Sequence, residues 1–296
     1  MKYGDAIVTG DSGFIGSHLS KRLIQQDVDV LGVSRSTAGI DITKWEQVRK
    51  IPPKNVLFHL AGITSIPESF QNPRVVYENN ISGILNMLEW CRINDVSKMI
   101  YSSTFVYGQP IYLPVDESHP VSPNNPYSSS KYLGEQLCES YCRDYGLDVV
   151  ILRFFNIYGP GQKGNFLIPV ILEQLSKGNV LLADSRPKRD YIYIDDVVDA
   201  FLCALNISST GCNVFNIGSG KSFSVDEIAN IIIDLFSDIT GRQTEIKYMN
   251  SKRACEIADT VANIEKAEQF LNWCPATDIK KGLEKTLRVF LLEHSK

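Results

Sequence analysis

Tyr127 and Lys131 lie four residues apart in the stretch NPYSSSKYLGEQ (125–136), directly after Pro126. Residues i and i+4 share one face of a helix, so a phenol and an ammonium would stand side by side there. A free phenol titrates near 10, too high for a base at neutral pH. A neighbouring positive charge favours the phenolate and lowers that value. The pair could therefore be the proton-handling end of an active site. In a chain with 13 Tyr and 30 Lys plus Arg, it could also be surface decoration. What surrounds the pair has to decide.

The bulk numbers narrow the classes. The chain has 296 residues, 44% hydrophobic and 22% charged, with net charge -4. This is the composition of a globular protein, long enough for one large domain or two modest ones. The charge gives no nucleic-acid or membrane footprint, and no apolar run reaches membrane-span length. The start, MKYGDAIVTG, runs straight into a strand-like segment, so no signal peptide is expected and the cytoplasm is the expected location. Seven cysteines without a Cys-x-x-Cys, and without a completing His/Cys set near Cys138 and Cys142, predict reduced buried thiols and no metal site.

The elements that must position the pair follow from periodicity. DAIVTG, VDVLGVS, NVLFHLAG, SKMIYSS and LDVVILRFFN read as buried strands. Helical stretches such as IGSHLSKRLIQQ and YENNISGILNMLEWCRIN lie between most of them. This alternation predicts α/β architecture: a Rossmann-type doubly wound parallel sheet covered on both faces. Residues 1–160 are expected to form a dinucleotide-binding domain, with part of the later chain returning to it. Residues 161–296 are expected to form mainly a smaller mixed α/β substrate lobe. The two would share a cleft at the C-terminal edge of the sheet.

Gly10, Gly13 and Gly16 follow the first strand and open a helix, a loop that lets backbone approach a pyrophosphate seated on the helix N-terminus. NAD or NADP is the implied cofactor. Where the second strand ends, a carboxylate would hold the ribose diol of NAD. This chain has Ser34, Arg35 and Ser36 there, which suit a 2′-phosphate and favour NADP. The alternative is Arg35 as a solvated loop charge. Asp41 with Ile42 could hold the adenine edge. HLAG (59–62) ends the third strand with small residues, and His59 reads as a strand-end core histidine.

The glycine loop, HLAG, NNISG, SSTFVYG, PYSSSK, RFFNIYGPGQ and RDYIYIDDV occur in order and at matching spacing over nearly the whole chain. On these residues the sequence resembles the extended short-chain dehydrogenase/reductases, the NAD(P)-dependent nucleotide-sugar epimerase/dehydratase family. The resemblance implies that Ser103, Tyr127 and Lys131 are catalytic. Tyr127, its pKa lowered by Lys131 with help from the positive nicotinamide, would take a proton from a sugar hydroxyl while hydride passes to that ring. Lys131 would also bond the nicotinamide ribose, and Ser103 the same sugar oxygen. It further implies cofactor contacts from Phe14, Ile15, Leu60, Ala61, Gly62, Thr64, Asn80 and Phe155, besides the glycines. Asn156, Asn165 and Arg189 would hold a nucleoside-diphosphate sugar, with Arg253 as a further phosphate ligand on a segment shorter than usual. An ion pair with Asp195 or Asp196 is the plainer reading of Arg189.

The resemblance leaves several reactions. Family 4,6-dehydratases carry acidic residues where this chain has Thr104 and Phe105, which disfavours dehydration. A 4-epimerase is expected first, with an NADPH-dependent 4-keto-sugar reductase as alternative, favoured by GVSRS. A non-catalytic cofactor-sensing module is weighed against by the retained Tyr127, Lys131 and Ser103. The two helices around NNISGILNMLEWCR and YSSSKYLGEQLCESYC carry wide apolar stripes, from which the resemblance implies a four-helix homodimer interface.

Overall fold

Apolar runs become parallel strands because successive side chains find cover on opposite faces of one sheet. The computed structural model describes residues 4–207, 210–251 and 256–294. In chain order the first half holds β1 (Asp5–Thr9), α1 (Phe14–Ile24), β2 (Asp29–Val33), α2 (Trp45–Val48), β3 (Val56–His59), α3 (Ile66–Gln71), α4 (Pro73–Ile93), β4 (Lys98–Thr104), α5 (Pro126–Tyr145) and β5 (Val149–Phe154). The remainder holds β6 (Asn156–Tyr158), α6 (Leu167–Ser176), β7 (Val180–Leu182), β8 (Lys188–Tyr193), α7 (Ile194–Ala204), β9 (Cys212–Ile217), β10 (Ser222–Ser224), α8 (Val225–Thr240), β11 (Ile246–Tyr248), α9 (Glu265–Leu271) and α10 (Ile279–His294).

The main sheet runs β2-β1-β3-β4-β5-β9, every pair parallel. Its sixth strand comes from the second half of the chain. Strand order reverses between β1 and β3, which opens the crevice at the carboxyl ends where ligands bind in such sheets. Ala6, Val8, Val56, Phe58, Ile100, Val150 and Leu152 pack on one face with Leu19 and Leu23 of α1 and Phe201 of α7. Ile7, Leu57, Met99, Tyr101, Val149 and Ile151 pack on the other with Ile84 and Leu88 of α4 and Cys138 of α5. Two small sheets, β10-β8-β6 and β11-β7, build the second lobe. Among the described residues no helix is long and apolar enough to cross a membrane.

The helix that carries the Tyr–Lys pair is bounded by local chemistry. Asn125 caps it by accepting from the Ser128 N–H, and Pro126 fits its first turn. Gly146, at φ 70°, ends it in the left-handed conformation. α5 then rests directly on β4. A Cβ at Gly134 would overlap the Tyr101 hydroxyl and come within 2.9 Å of Tyr101 Cζ.

The thiols depart from the expectation of burial. Among the described residues Cys91 and Cys138 are buried, Cys142, Cys203 and Cys212 half-buried, and Cys274 exposed; Cys255 lies outside them. Burial alternates through 271–276: Leu271, Trp273 and Pro275 point inward or partly inward, and Cys274 takes an outward position.

Replacing Gly134 by Ala should cost about 1–3 kcal/mol, because the buried Tyr101 ring cannot yield without moving α5. Urea unfolding of wild type and variant measures it; equal midpoints would show that the helix has slack against the strand.

Candidate active site

The turn between β1 and α1 is built for close approach. Gly10 has φ 72°, and a Cβ there would sit 2.9 Å from Ala61 N and Cα. A Cβ at Gly16 would overlap the Gly10 carbonyl and lie 2.8 Å from Asp11 Cα. Gly13 is the N-cap of α1 and offers no side chain to cap it. The first-turn N–H groups at Phe14, Ile15 and Gly16 thus face an exposed glycine turn, a fit for a pyrophosphate.

Beside it, four hydroxyls cluster. Ser36 Oγ donates to Ser12 Oγ at 2.8 Å, and Ser34 Oγ lies 2.7 Å from Thr37 Oγ1. Thr37 Oγ1 donates to Asp11 Oδ1 at 2.9 Å, so the carboxylate nearest this corner comes from the glycine loop and is already engaged. The sequence points to the end of β2 for such a carboxylate, and no spacing rule marks Asp11. Arg35 is exposed beside the hydroxyls; burial pushes the Asp41 carboxyl up, but Thr43 hydrogen bonds, with the charges of Arg35 and Lys44 behind them, hold it below the usual carboxylate range. Asp41 spends its side chain on the Thr43 N–H and hydroxyl. Ile42 is buried, and a Cβ on Gly83 of α4 would lie 2.7 Å from its Cδ1.

At the end of β3, Leu60 and Ala61 donate their N–H groups to Thr9 Oγ1, both at 3.2 Å. Thr9 Oγ1 also lies 3.0 Å from His59 Nδ1. His59 stacks on Tyr101, and burial, aided by Lys131, holds its pKa down to about 3. It is a neutral core histidine, as its place at a strand end suggested. Asn80 accepts from Ile63 N–H at 2.8 Å and donates to Ile63 O and to Ser130 Oγ, tying the loop after Gly62 to α5. Ser130 in turn donates to the Tyr127 carbonyl at 2.7 Å. Thr64 is exposed on that loop.

The structure puts Tyr127 and Lys131 on the first turns of α5, beside the end of β4. The half-buried Tyr127 hydroxyl bonds the Thr104 side chain. Lys131 is 4% exposed, with Nζ 4.3 Å from the centroid of the Tyr101 ring. Burial pushes the Lys131 ammonium down to about 8, against opposing pulls from Cys138 and Glu135. Burial also pushes the Tyr127 phenol up, with the Thr104 hydrogen bond pulling the other way. In the protein alone, desolvation of a would-be phenolate outweighs its neighbours; the lowered phenol is expected of Lys131 together with a bound nicotinamide.

Ser103 is buried, and its hydroxyl donates to Glu135. Glu135 has no exposure and is forked by Arg153, with Nη2 to Oε2 at 2.6 Å and Nε to both oxygens at 3.1 Å. Arg153 Nη1 donates to the Tyr107 hydroxyl at 2.9 Å, which donates to Asn216 Oδ1 at 2.6 Å. Asn216 Nδ2 reaches Val115 O at 2.9 Å. Glu135, Arg153 and Thr104 were not recognised as site neighbours from sequence. The available signal was Glu135, one turn beyond Lys131: a carboxylate on the sheet-facing side of α5.

Phe155 is buried and meets Phe105 edge-on at 5.2 Å, one wall of the corner. Asn156 on β6 and Asn165 just before α6 are exposed. Arg189 on β8 does not pair with Asp195 or Asp196. Its guanidinium holds Glu256 and donates to Lys188 O and Ile257 O, both at 2.7 Å. Asp195 pairs with Lys285, and Asp196 accepts from Ala276 and Thr277 N–H, because α7 carries both away from β8 toward α10. Arg253 lies outside the described residues. Among those residues no cluster of His, Cys, Asp or Glu could hold a metal.

The model of the NAD dependent epimerase/dehydratase family matches residues 6–218. A putative UDP-glucose 4-epimerase of Methanocaldococcus jannaschii is 35% identical over 95% of this chain and 96% of its own. A UDP-glucose 4-epimerase of Thermotoga maritima, solved with UDP-glucose, superposes with TM-score 0.91 at 30% identity, covering 98% of this chain and 99% of its own. RMD of Pseudomonas aeruginosa, solved with NADPH, gives TM-score 0.88 at 28% identity over 98% and 99%.

Lys131 titrates near 8 when folded and at its ordinary 10.5 when unfolded. Between those values the unfolded chain binds more protons, so stability should rise with pH, by about 3 kcal/mol across the window. Lys131→Met should flatten that rise, read from urea unfolding at pH 7.5, 9 and 10; parallel curves for the two proteins would place the ammonium in water.

Proposed function

The chain belongs to the NAD dependent epimerase/dehydratase family, and we propose that it is a nucleoside-diphosphate-sugar 4-epimerase using NAD(P). The observation that carries this reading is the placement of Tyr127 and Lys131 on the turn of α5 beside the end of β4, at the sheet edge that also bears the glycine turn.

When bound at the glycine turn of Gly10, Gly13 and Gly16, the cofactor would supply reversible hydride chemistry at sugar C4. Tyr127 takes the C4 hydroxyl proton and gives it back, so the phenol needs a lower pKa in the loaded site than burial alone gives it. Lys131 supplies positive charge and a ribose contact, and Ser103 meets the same sugar oxygen. Phe105 and Phe155 keep water from that corner. Thr104 bonds the phenol and, with Phe105, provides no acid or base for eliminating water. The lobe formed by 161–296 would grip the nucleotide, with Asn156, Asn165 and Arg189 on the diphosphate and Glu256 yielding Arg189 to it.

Gly10, Gly13, Phe14, Ile15 and Gly16 would hold the pyrophosphate, and Leu60, Ala61, Gly62, Thr64 and Phe155 would border the cofactor. We assign NADP over NAD on Arg35 and the hydroxyls of Ser12, Ser34 and Ser36, since Asp11 is spent on Thr37. The free thiols of the described cysteines fit a reducing compartment, and we place the protein in the cytoplasm.

We also propose a homodimer through α4 and α5. Leu85 and Leu133 are each 40% exposed, and Ile81, Leu133, Gln136 and Leu137 line an outward groove of about 280 Å³. A two-fold copy of the same helix pair would cover it.

UDP-sugars offered to the protein should interconvert at C4 with no net change at 340 nm. Tyr127→Phe should lower kcat by about a thousandfold or more. Net loss of absorbance with a 4-keto sugar would make it a reductase, and an unimpaired Tyr127→Phe would sink the site. Mass spectrometry of cofactor released on unfolding reads NADP against NAD. Light scattering should give a dimer for wild type and a monomer for Leu133→Glu; a wild-type monomer would remove the interface.

A further inference from the structure

Two thiols meet where β5 and β9 begin, at the opposite end of the sheet from Tyr127 and Lys131. Cys142 stands in the last turns of α5, one turn after Cys138 and on the same sheet-facing side. Cys212 opens β9 and pairs with Val149, the first residue of β5. α5 touches β9 here, and both side chains pack against one apolar cluster with their sulfurs in hydrogen-bond contact. Both thiols are free and half-buried, within reach of a small solute.

The two are not equivalent. The Cys142 sulfur takes the Cys212 S–H and a share of the Val149 N–H, which also donates to Gly211 O at 3.0 Å. Donors aimed at a sulfur favour its thiolate. The Cys212 contact, with Val149 behind it, holds the Cys142 thiol below its usual value against burial and the charges of Asp148 and Glu139. Lys98, 3.1 Å from Asp148, answers one of those charges. The same contact, with burial, pushes the Cys212 thiol up. Cys138 and Cys91, deeper in the cluster, are pushed up by burial and keep their protons. A nucleophilic sulfur thus touches one neighbour that holds its proton.

We propose that Cys142 and Cys212 are a reversible redox pair, which a hydroperoxide oxidises to a disulfide joining the end of α5 to the start of β9. The Cys142 thiolate attacks one peroxide oxygen. An S–O bond forms, the O–O bond breaks, and the departing hydroxide takes a proton to become water. Cys142 is now a sulfenic acid, oxidised by two electrons. The Cys212 sulfur then attacks the Cys142 sulfur: the S–S bond forms, the S–O bond breaks, and the hydroxyl leaves with the Cys212 proton as a second water. The bond closes the chain from 142 to 212, which restricts the unfolded state and fixes the last strand of the sheet to the helix that covers it. Cellular thiols reverse it in a reducing compartment, so the staple is present only under peroxide. None of this depends on the epimerase reading, and no readout below needs turnover.

The full chain, reduced and freed of reductant, is treated with hydrogen peroxide at one equivalent, blocked with iodoacetamide and mapped by non-reducing peptide mass spectrometry. A Cys142–Cys212 link is expected, with fragment ions separating Cys142 from Cys138. It should form about tenfold faster than the exposed Cys274 is oxidised. Excess dimedone present during oxidation should label Cys142 and leave Cys212 unlabelled. Oxidation should raise the urea midpoint, dithiothreitol should return it, and Cys212→Ser should show no rise. A link through Cys138, oxidation of Cys274 with no Cys142–Cys212 link, or dimedone on Cys212 in place of Cys142 would overturn the proposal. An unmoved midpoint in fully linked protein would remove the staple. Should Cys212→Ser not fold, the linked and dithiothreitol-reduced wild type decide by their midpoints.

Discussion

A carboxylate sealed from water must satisfy all its oxygens with protein donors, and Glu135 does so with partners from two neighbouring strands. Ser103 stands at the end of β4 and Arg153 near the end of β5, so the pair can form only when these strands are in register and α5 lies across them. The contacts run on through Tyr107 and Asn216 to Val115, which pairs with Ala262 beside the segment that holds Arg189. One buried ion pair therefore ties the corner of Tyr127 and Lys131 to the lobe proposed to grip the nucleotide. Breaking such a pair from one side strands a charge, which is why its members cannot drift independently.

Much of this was legible in the sequence, and the legible part is local. The limits of α5 are written in Asn125, Pro126 and Gly146, each acting within a few residues. The glycine turn declares itself at Gly10, Gly13 and Gly16, and the continuous apolar runs that hold Ile7, Val8, Leu57 and Phe58 announce a sheet covered on both faces. These features depend on backbone sterics and burial period, which a short window contains.

What sequence reading missed depends on distance. The partner of Arg189 is Glu256, 67 positions away, and no spacing rule joins them. Asp11 was overlooked because the customary place for a ribose-facing carboxylate is the end of β2. Burial pushes the Tyr127 phenol up in the protein alone, and i+4 spacing reveals the pairing with Lys131 but not that depth. Cys274 is exposed through the alternation of a connecting segment that has no pattern of its own.

The sheet closes with β9, borrowed from the far half of the chain and zipped along all of β5. During synthesis, β5 emerges more than fifty residues ahead of its last neighbour. Until Cys212–Ile217 arrives, Val149–Phe154 offers a bare row of peptide groups flanked by apolar side chains, the kind of edge that recruits strangers. The two lobes are thus not separable pieces of evolutionary cloth: a break placed between them would leave the nucleotide half sticky and unfinished.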